Sequence, residues 1–207
     1  MSAVLQQLAR APVIAILRGL RPDEVLDVAR VLIEAGFGAI EVPLNSPSAV
    51  DSIAMLSRSL GPSVVVGAGT VLSVDQVDAC AGAGARLILS PNFNPDVVRH
   101  AVARGMASMP GIATASEGFA ALEAGAHALK VFPADVLGTA SLKAWRAVFA
   151  PATRFYCVGG IGVDNMQAFR QAGAAGVGLA SSSYVPGVAL DELARRARAL
   201  LAAWGPP

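Results

Sequence analysis

The sequence predicts one (β/α)8 barrel domain over residues 1–207, with a short extra helix ahead of the first strand. Three observations lead to it. Eight short, continuous apolar runs each precede an amphipathic helical stretch, and such runs suit strands covered on both faces, as in a parallel sheet. The repeating unit is roughly 24 residues, near the minimum for one strand–helix unit of a barrel. The junctions repeat too: "AGFGAIEV", "AGARLILS", "RGMASMPG", "AGAHALKV" and "AGAAGVGL" each place a glycine where a left-handed cap stops a helix, just before a strand.

Taken in order, residues 2–10 read as the extra helix, closing the bottom of the barrel. "PVIAIL" is the first strand and "PDEVLDVARVLIEAG" its helix. "AIEV" and "SAVDSIAMLSRSLG" follow, then "VVVGAGT" with "SVDQVDACAGAG", "RLILS" with "NPDVVRHAVARG", and "ASMPG" with "ASEGFAALEAG". The second half continues with "ALKVF" and "GTASLKAWRAVF", "RFYCVGG" and "VDNMQAFRQAG", and finally "GVGLAS" and "LDELARRARALLAAW". Ser73, Ser116 and Asp164 are expected as N-caps, and Pro22 and Pro95 in first turns. The rival architecture, an open doubly wound sheet, needs GxGxxG after its first strand. Here "GAGTVL" follows the third and ends in Leu72, so no dinucleotide cofactor is expected; its glycines are read as letting the backbone pass close to a ligand.

Composition narrows the partners. Apolar residues are 54% and charged residues 15%, which excludes disorder. A net charge of +1 without a basic run argues against nucleic acid or a membrane surface as partner. Mean hydropathy is +0.56, yet no stretch reaches the roughly 18 apolar residues that span a bilayer. The N-terminus lacks the pattern of a signal peptide, and Cys80 and Cys157 lack redox or metal spacing. A reduced, cytoplasmic setting is expected, with both cysteines as small buried apolar groups.

Active groups of such barrels sit at the C-terminal ends of strands. The first run ends in Arg18, the second in Glu41 with Asn45 beyond, and the third in Thr70. The fourth ends in Ser90 and Pro91, the fifth in Pro110 and Gly111, the seventh in Gly159 and Gly160, and the eighth in Ser181. The sixth carries Lys130 among Ala128, Leu129, Val131 and Phe132, where an ammonium is costly to desolvate. Lys130 is then either half of a structural ion pair with Glu41 or a Schiff-base lysine beside a carboxyl proton shuttle. The second reading has a chemical rationale. Burial lowers a lysine pKa, so neutral amine is available to attack a ketone. The iminium then draws electrons from the bond between its α and β carbons, while a carboxylate moves the protons. Glu41 is the acid at a strand end. Asp135 is a weaker candidate, and Asp23, Asp75, Asp96 and Asp164 fall at helix starts, where the macrodipole favours acids.

"VGGIGVDN" and "ASSSY" follow the last two strands, the usual phosphate loops of these barrels. Tight turns alone would also account for the glycines. Arg18 and Thr70 suit a carboxylate, Arg18 through its two-pronged guanidinium, unless Arg18 forms only a rim salt bridge. His100 and His127 fall away from this mouth, and no cluster has metal-ligand spacing, so no metal is expected.

"VIAILRG", "AGFGAIEVPLNSP", "VGAGTVL", "SPNFNPDVVRHA", "PGIATASE", "ALKVFPA" and "VGGI" together resemble the bacterial class I 2-keto-3-deoxy-6-phosphosugar-acid aldolases, from about residue 12 onward. The resemblance implies a homotrimer of (β/α)8 barrels needing no metal or cofactor, which cleaves a phosphorylated 2-keto-3-deoxy sugar acid to pyruvate and D-glyceraldehyde 3-phosphate. It implies Lys130 as the Schiff-base lysine and Glu41 as the proton shuttle. Arg18 and Thr70 would surround the pyruvate carboxylate, Pro91 and Phe132 would pack beside the reacting centre, and Gly159, Gly160 and Ser181 would hold phosphate. The phosphogluconate branch resembles "EVTLRT" and "TGG". With Asn45 in "EVPLNSP" and Val158 in "VGG", this chain resembles the phosphogalactonate branch, whose substrate is the C4 epimer. Losing a threonine hydroxyl at Val158 removes a hydrogen bond near the reacting bond, a kind of change to which specificity is sensitive. Ala180 stands where the family has glycine, which crowds the phosphate loop; Ser182 and Ser183 are candidates to compensate. Two other classes remain: a barrel that binds phosphosugar without turnover, which would not need Lys130 with Glu41, and an epimerase or isomerase, which would need paired acids or an acid–histidine pair.

Overall fold

The computed structural model describes residues 3–206. Strands β1 (Val13–Ile16), β2 (Ala39–Pro43), β3 (Val65–Gly69), β4 (Leu87–Leu89), β5 (Ala107–Met109), β6 (Gly111–Ile112), β7 (Leu129–Val131), β8 (Phe155–Val158) and β9 (Gly176–Leu179) form one sheet. All the pairings are parallel, in the order β5-β4-β3-β2-β1-β9-β8-β7-β6. The two ends of that order, β5 and β6, are successive segments of one extended stretch, so the sheet closes into a barrel. Pro110 divides them because it has no N–H to give the ladder. The fifth apolar run is thus two strand segments, and it runs on to Ile112 instead of ending at Pro110 and Gly111.

Helix α1 (Ala3–Arg10) precedes β1; α2 (Val25–Ala35), α3 (Ala49–Ser59), α4 (Val74–Gly82) and α5 (Pro95–Ala103) follow β1 to β4, and α6 (Ala115–Glu123) follows β6. Helices α7 (Ala134–Val148), α8 (Met166–Gln171) and α9 (Leu190–Trp204) follow β7 to β9. This is the (β/α)8 barrel with its extra helix. The predicted helix start at residue 2, and the domain's residues 1, 2 and 207, lie outside the described residues.

Helix ends follow local chemistry, with corrections. At the five predicted junctions Gly36, Gly84, Gly105, Gly125 and Gly173 all have positive φ, between 75° and 113°. Ser73 caps α4, its Oγ accepting from Gln76 N–H at 3.3 Å, and Pro95 opens α5. The cap of α6 is Thr114, not Ser116, because Thr114 and Glu117 form a reciprocal capping box. Asn165, not Asp164, stands at the N-cap of α8. Pro22 lies in the turn ahead of α2, whose N-cap is Glu24. Helix α7 starts at Ala134, earlier than the "GTAS" start, and is broken at Gly138, whose φ of 70° and ψ of 170° are not helical.

Two apolar layers result. One lies between strands and outer helices. The other fills the lumen: Ile14, Ala39, Val65, Leu87, Ala107, Ala128 and Tyr156 meet Val4, Leu5 and Leu8 of α1. Those three residues follow helical spacing, so one face of α1 plugs the lower opening. The upper lumen is left for other side chains.

Candidate active site

Side chains alternate along a strand, so residues two apart share a face. Ala39 and Ala128 face the lumen; Glu41 and Lys130 therefore do too, one level higher. Glu41 is the third of five residues in β2 and not its last. Both are buried, at 1% and 5% exposure. Lys130 pairs in register with Gly111 on one side and Tyr156 on the other. Gly111 has no side chain, and the Pro91 carbonyl fills the place where a Cβ would stand. The Lys130 ammonium lies 5.2 Å from the centre of the Phe132 ring.

The two groups form no contact ion pair: among the described residues, the Lys130 ammonium makes no ion pair within 4.0 Å and no hydrogen bond, and Glu41 Oε2 has no partner. Burial dominates both titrations. It pushes the Glu41 carboxyl up, only partly offset by Lys130 and Arg18. It pushes the Lys130 ammonium down, with Glu41 opposing and Arg18 adding to the shift. Both shifts run toward the neutral form, of the acid in one case and of the amine in the other.

Gly69, on neighbouring β3, makes room for Glu41: a Cβ there would overlap the carboxyl and its methylene. The "GAG" glycine thus admits a side chain of the site, where the sequence had suggested close backbone–ligand contact. Gly69→Ala is expected to displace the carboxyl and lower kcat about 10- to 100-fold. Steady-state rates on a folded variant check this; an unchanged kcat would mean that the position of Glu41 is immaterial.

Thr70 follows with φ of 56°, a strained conformation for a β-branched residue. It is held by Val71 N–H donating to Leu89 O at 3.2 Å and by Ser90 Oγ donating to Val71 O at 2.7 Å. Arg18 is exposed at the rim and donates from Nη1 to Asn45 Oδ1 at 3.0 Å. It is in none of the ion pairs among the described residues, so its partner at the rim is an amide and not an acid. Sequence reasoning missed Ser46, which is buried, accepts from Gly19 N–H at 2.9 Å and ties the Arg18 turn to the loop after β2. The sequence showed only a serine in "NSP" after a strand, an ordinary turn residue. Pro91 is half-buried, its carbonyl packed against Gly111. Val158, in the lumen two residues past Tyr156, is buried against Gly178.

Gly159, Gly160, Ile161, Gly162, Gly178, Ala180, Ser181 and Ser182 line a cavity of about 330 Å³ between the last two loops. Backbone N–H groups of Gly160, Ile161, Ser181 and Ser182 donate to no other protein group among the described residues. Ser183 cannot compensate for Ala180: its hydroxyl bonds Leu179 O at 2.7 Å and Ala180 O at 3.0 Å. The Ser182 hydroxyl is buried and unpartnered. Asp135 lies against Gly160 at the rim, apart from the Lys130 level, with Oδ1 accepting from Val136 N–H. His100 pairs with Asp78 on the outer helices, and His127 Nδ1 accepts from Ser108 N–H near the bottom. Among the described residues no group of three or more His, Cys, Asp or Glu could hold a metal, and no helix is long and apolar enough to cross a membrane.

The parallel barrel thus holds a lysine and a glutamate buried in its lumen without an ion pair between them, beside a cavity lined by free backbone N–H groups. The chain belongs to the KDPG and KHG aldolase family, whose model it matches over residues 4–193. It is 44% identical to the 2-dehydro-3-deoxy-6-phosphogalactonate aldolase of Escherichia coli (strain K12), over 97% of this chain and 98% of that one. Identity to the probable 2-dehydro-3-deoxy-6-phosphogalactonate aldolase of Rhizobium meliloti (strain 1021) is 45%, over 93% and 91%. The native KDPGal structure superposes with a TM-score of 0.92 at 45% identity, covering 93% of this chain and 94% of that one. The KDPG aldolase of Legionella pneumophila, with pyruvate captured as a covalent carbinolamine, gives 0.84 at 29%, covering 94% and 96%.

Proposed function

We propose that this aldolase reversibly cleaves 2-dehydro-3-deoxy-6-phospho-D-galactonate to pyruvate and D-glyceraldehyde 3-phosphate, in D-galactonate breakdown. The observation that carries the reading is the lumenal pair, Lys130 and Glu41, buried without a contact ion pair. Neutral Lys130 attacks the C2 ketone. Glu41 donates a proton as the carbinolamine loses water, leaving an iminium. Glu41 then takes the C4 hydroxyl proton; the C3–C4 bond breaks, its electrons move into the enamine, and the aldehyde leaves. Glu41 returns a proton to C3, and water releases pyruvate and the free lysine. The carbinolamine named for the Legionella relative supports this chemistry.

Arg18, oriented by Asn45, and Thr70 hold the carboxylate. Pro91 and Phe132 shape the space around the amine. Gly159, Gly160 and Ser181 take the phosphate, using the free N–H groups of the last two loops. Val158 gives an apolar wall where a hydroxyl would favour the C4 epimer, and the two relatives at 44–45% identity are named for the galactonate-type substrate. The protein works as a cytoplasmic homotrimer. Exposed Phe119, Val136 and Val148 supply apolar surface for subunit contact. Solution mass tests the assembly, with three 21.0 kDa chains expected.

The test of substrate is a paired assay on the two C4 epimers, with pyruvate release followed by coupled reduction. The galactonate-type epimer is expected to react with at least about tenfold higher kcat/KM, the scale of one missed contact. A preference for the gluconate-type epimer overturns the substrate, equal rates mean a dual-specificity enzyme, and no turnover of either leaves a phosphosugar binder.

A further inference from the structure

We infer that Asn165 is the positioning residue of the anion cavity: its side-chain amide holds the 160–162 turn so that the Gly160 and Ile161 N–H groups are presented to the ligand together. This rests on the phosphate reading of that cavity and names what assembles it.

Asn165 stands at the N-cap of α8, where an asparagine oxygen ordinarily accepts from its own helix. Here it makes no such bond. Its Oδ1 accepts from Gly162 N–H at 3.0 Å, and its Nδ2 donates to Gly160 O at 2.8 Å. One planar amide therefore ties down both sides of Ile161. The carbonyl of Gly160 and the N–H of Gly162 are spent on Asn165, while the N–H groups of Gly160 and Ile161 stay free. Gly160 can make this turn because φ is 63° there.

No lysine or arginine lines the cavity, so an anion there depends on neutral donors. Such donors act strongly only when they converge on one point and need not reorganise. Asp135 abuts Gly160 from the other side. A loosened turn would have an acid within reach, and anion affinity would fall further.

The experiment compares wild type with Asn165→Ala, Asn165→Ser and Asn165→Asp. Inorganic phosphate binding is measured by calorimetry, and kcat and KM on the phosphorylated substrate by steady-state assay. Borohydride trapping of pyruvate reports an intact lysine site. Alanine and serine variants are expected to bind phosphate about tenfold more weakly and raise KM in step, with kcat and trapping preserved. Asn165→Asp keeps an acceptor for Gly162 N–H, loses the donor to Gly160 O and adds a charge. It is expected to bind more weakly still, most of all at low salt, because the added charge also repels the anion. Wild-type phosphate binding that the variants retain overturns the role of Asn165, as does a fall in kcat at constant KM. Loss of trapping in all three variants makes Asn165 a folding residue and overturns it as well. Failure of the wild type to bind phosphate overturns the underlying anion reading instead.

Discussion

Lys130→Arg is expected to lower kcat by at least about 10⁴-fold and to abolish the pyruvate adduct trapped by borohydride, with the fold intact. Arginine keeps the charge and the long stem. Its guanidinium does not deprotonate in proteins, so no neutral nitrogen is available to attack the ketone. Lys130 is placed for the opposite behaviour: burial lowers its pKa, and no acid touches it within 4.0 Å to hold the proton on. A structural ion pair predicts a different result. Arginine would then preserve the pair and much of the activity, because the lysine nitrogen would carry no chemistry. Peptide mapping after pyruvate and borohydride separates the two. Added mass on the Lys130 peptide of the wild type, absent from a folded variant, is the expected result. An active Lys130→Arg variant ends the Schiff-base assignment.

Glu41→Gln is expected to lower kcat by about 10²- to 10⁴-fold while still forming adduct slowly, since the amide fills the same space but cannot carry a proton. The same substitution has a stability signature. Burial raises the Glu41 pKa above its ordinary 4.5, so the native state holds this proton to higher pH than the unfolded chain does. Its favourable contribution is complete below pH 4.5 and is lost as pH rises toward the raised native value. Glutamine has no such loss. The variant should therefore gain on wild type as pH rises above 4.5, reaching an advantage on the order of 1 kcal/mol near neutrality. Urea unfolding at several pH values reads this directly. Parallel stability curves would mean that Glu41 is not ionised at a cost in the folded protein.

Much of the site was legible because the fold confines chemistry to a few positions. Once the apolar runs are strands of a parallel barrel, Lys130 and Glu41 are conspicuous as charged residues in strands that otherwise bury both faces. The glycine-rich stretch near residue 160 was legible for the same reason. Ser46 and Asn165 were not, because a serine after a strand and an asparagine before a helix are ordinary capping and turn residues. Their partners, Gly19 for one and Gly160 with Gly162 for the other, follow from how loops meet and not from local pattern. Gly69 was noticed but misread. Its demand for smallness comes from Glu41, which register pairs with Gly67 but whose carboxyl reaches over Gly69 on the adjacent strand. The cap of α6 moved for a simpler reason: Thr114 with Glu117 satisfies two helix-end donors reciprocally, which Ser116 cannot do from inside the first turn.

By itself the sequence determined the alternation of strands and helices, the parallel barrel, the plugging helix, and which charged groups stand on strands. These follow from side-chain periodicity and from glycine's access to left-handed conformations, both of which are local. The tertiary structure decided how those groups meet. It put Lys130 and Glu41 in one lumen without an ion pair, split the fifth strand at Pro110, set Arg18 against Asn45, spent the Ser183 hydroxyl and left the Gly160 and Ile161 N–H groups free. Distances and burial across a closed sheet depend on register and curvature over the whole barrel, and no local pattern encodes them.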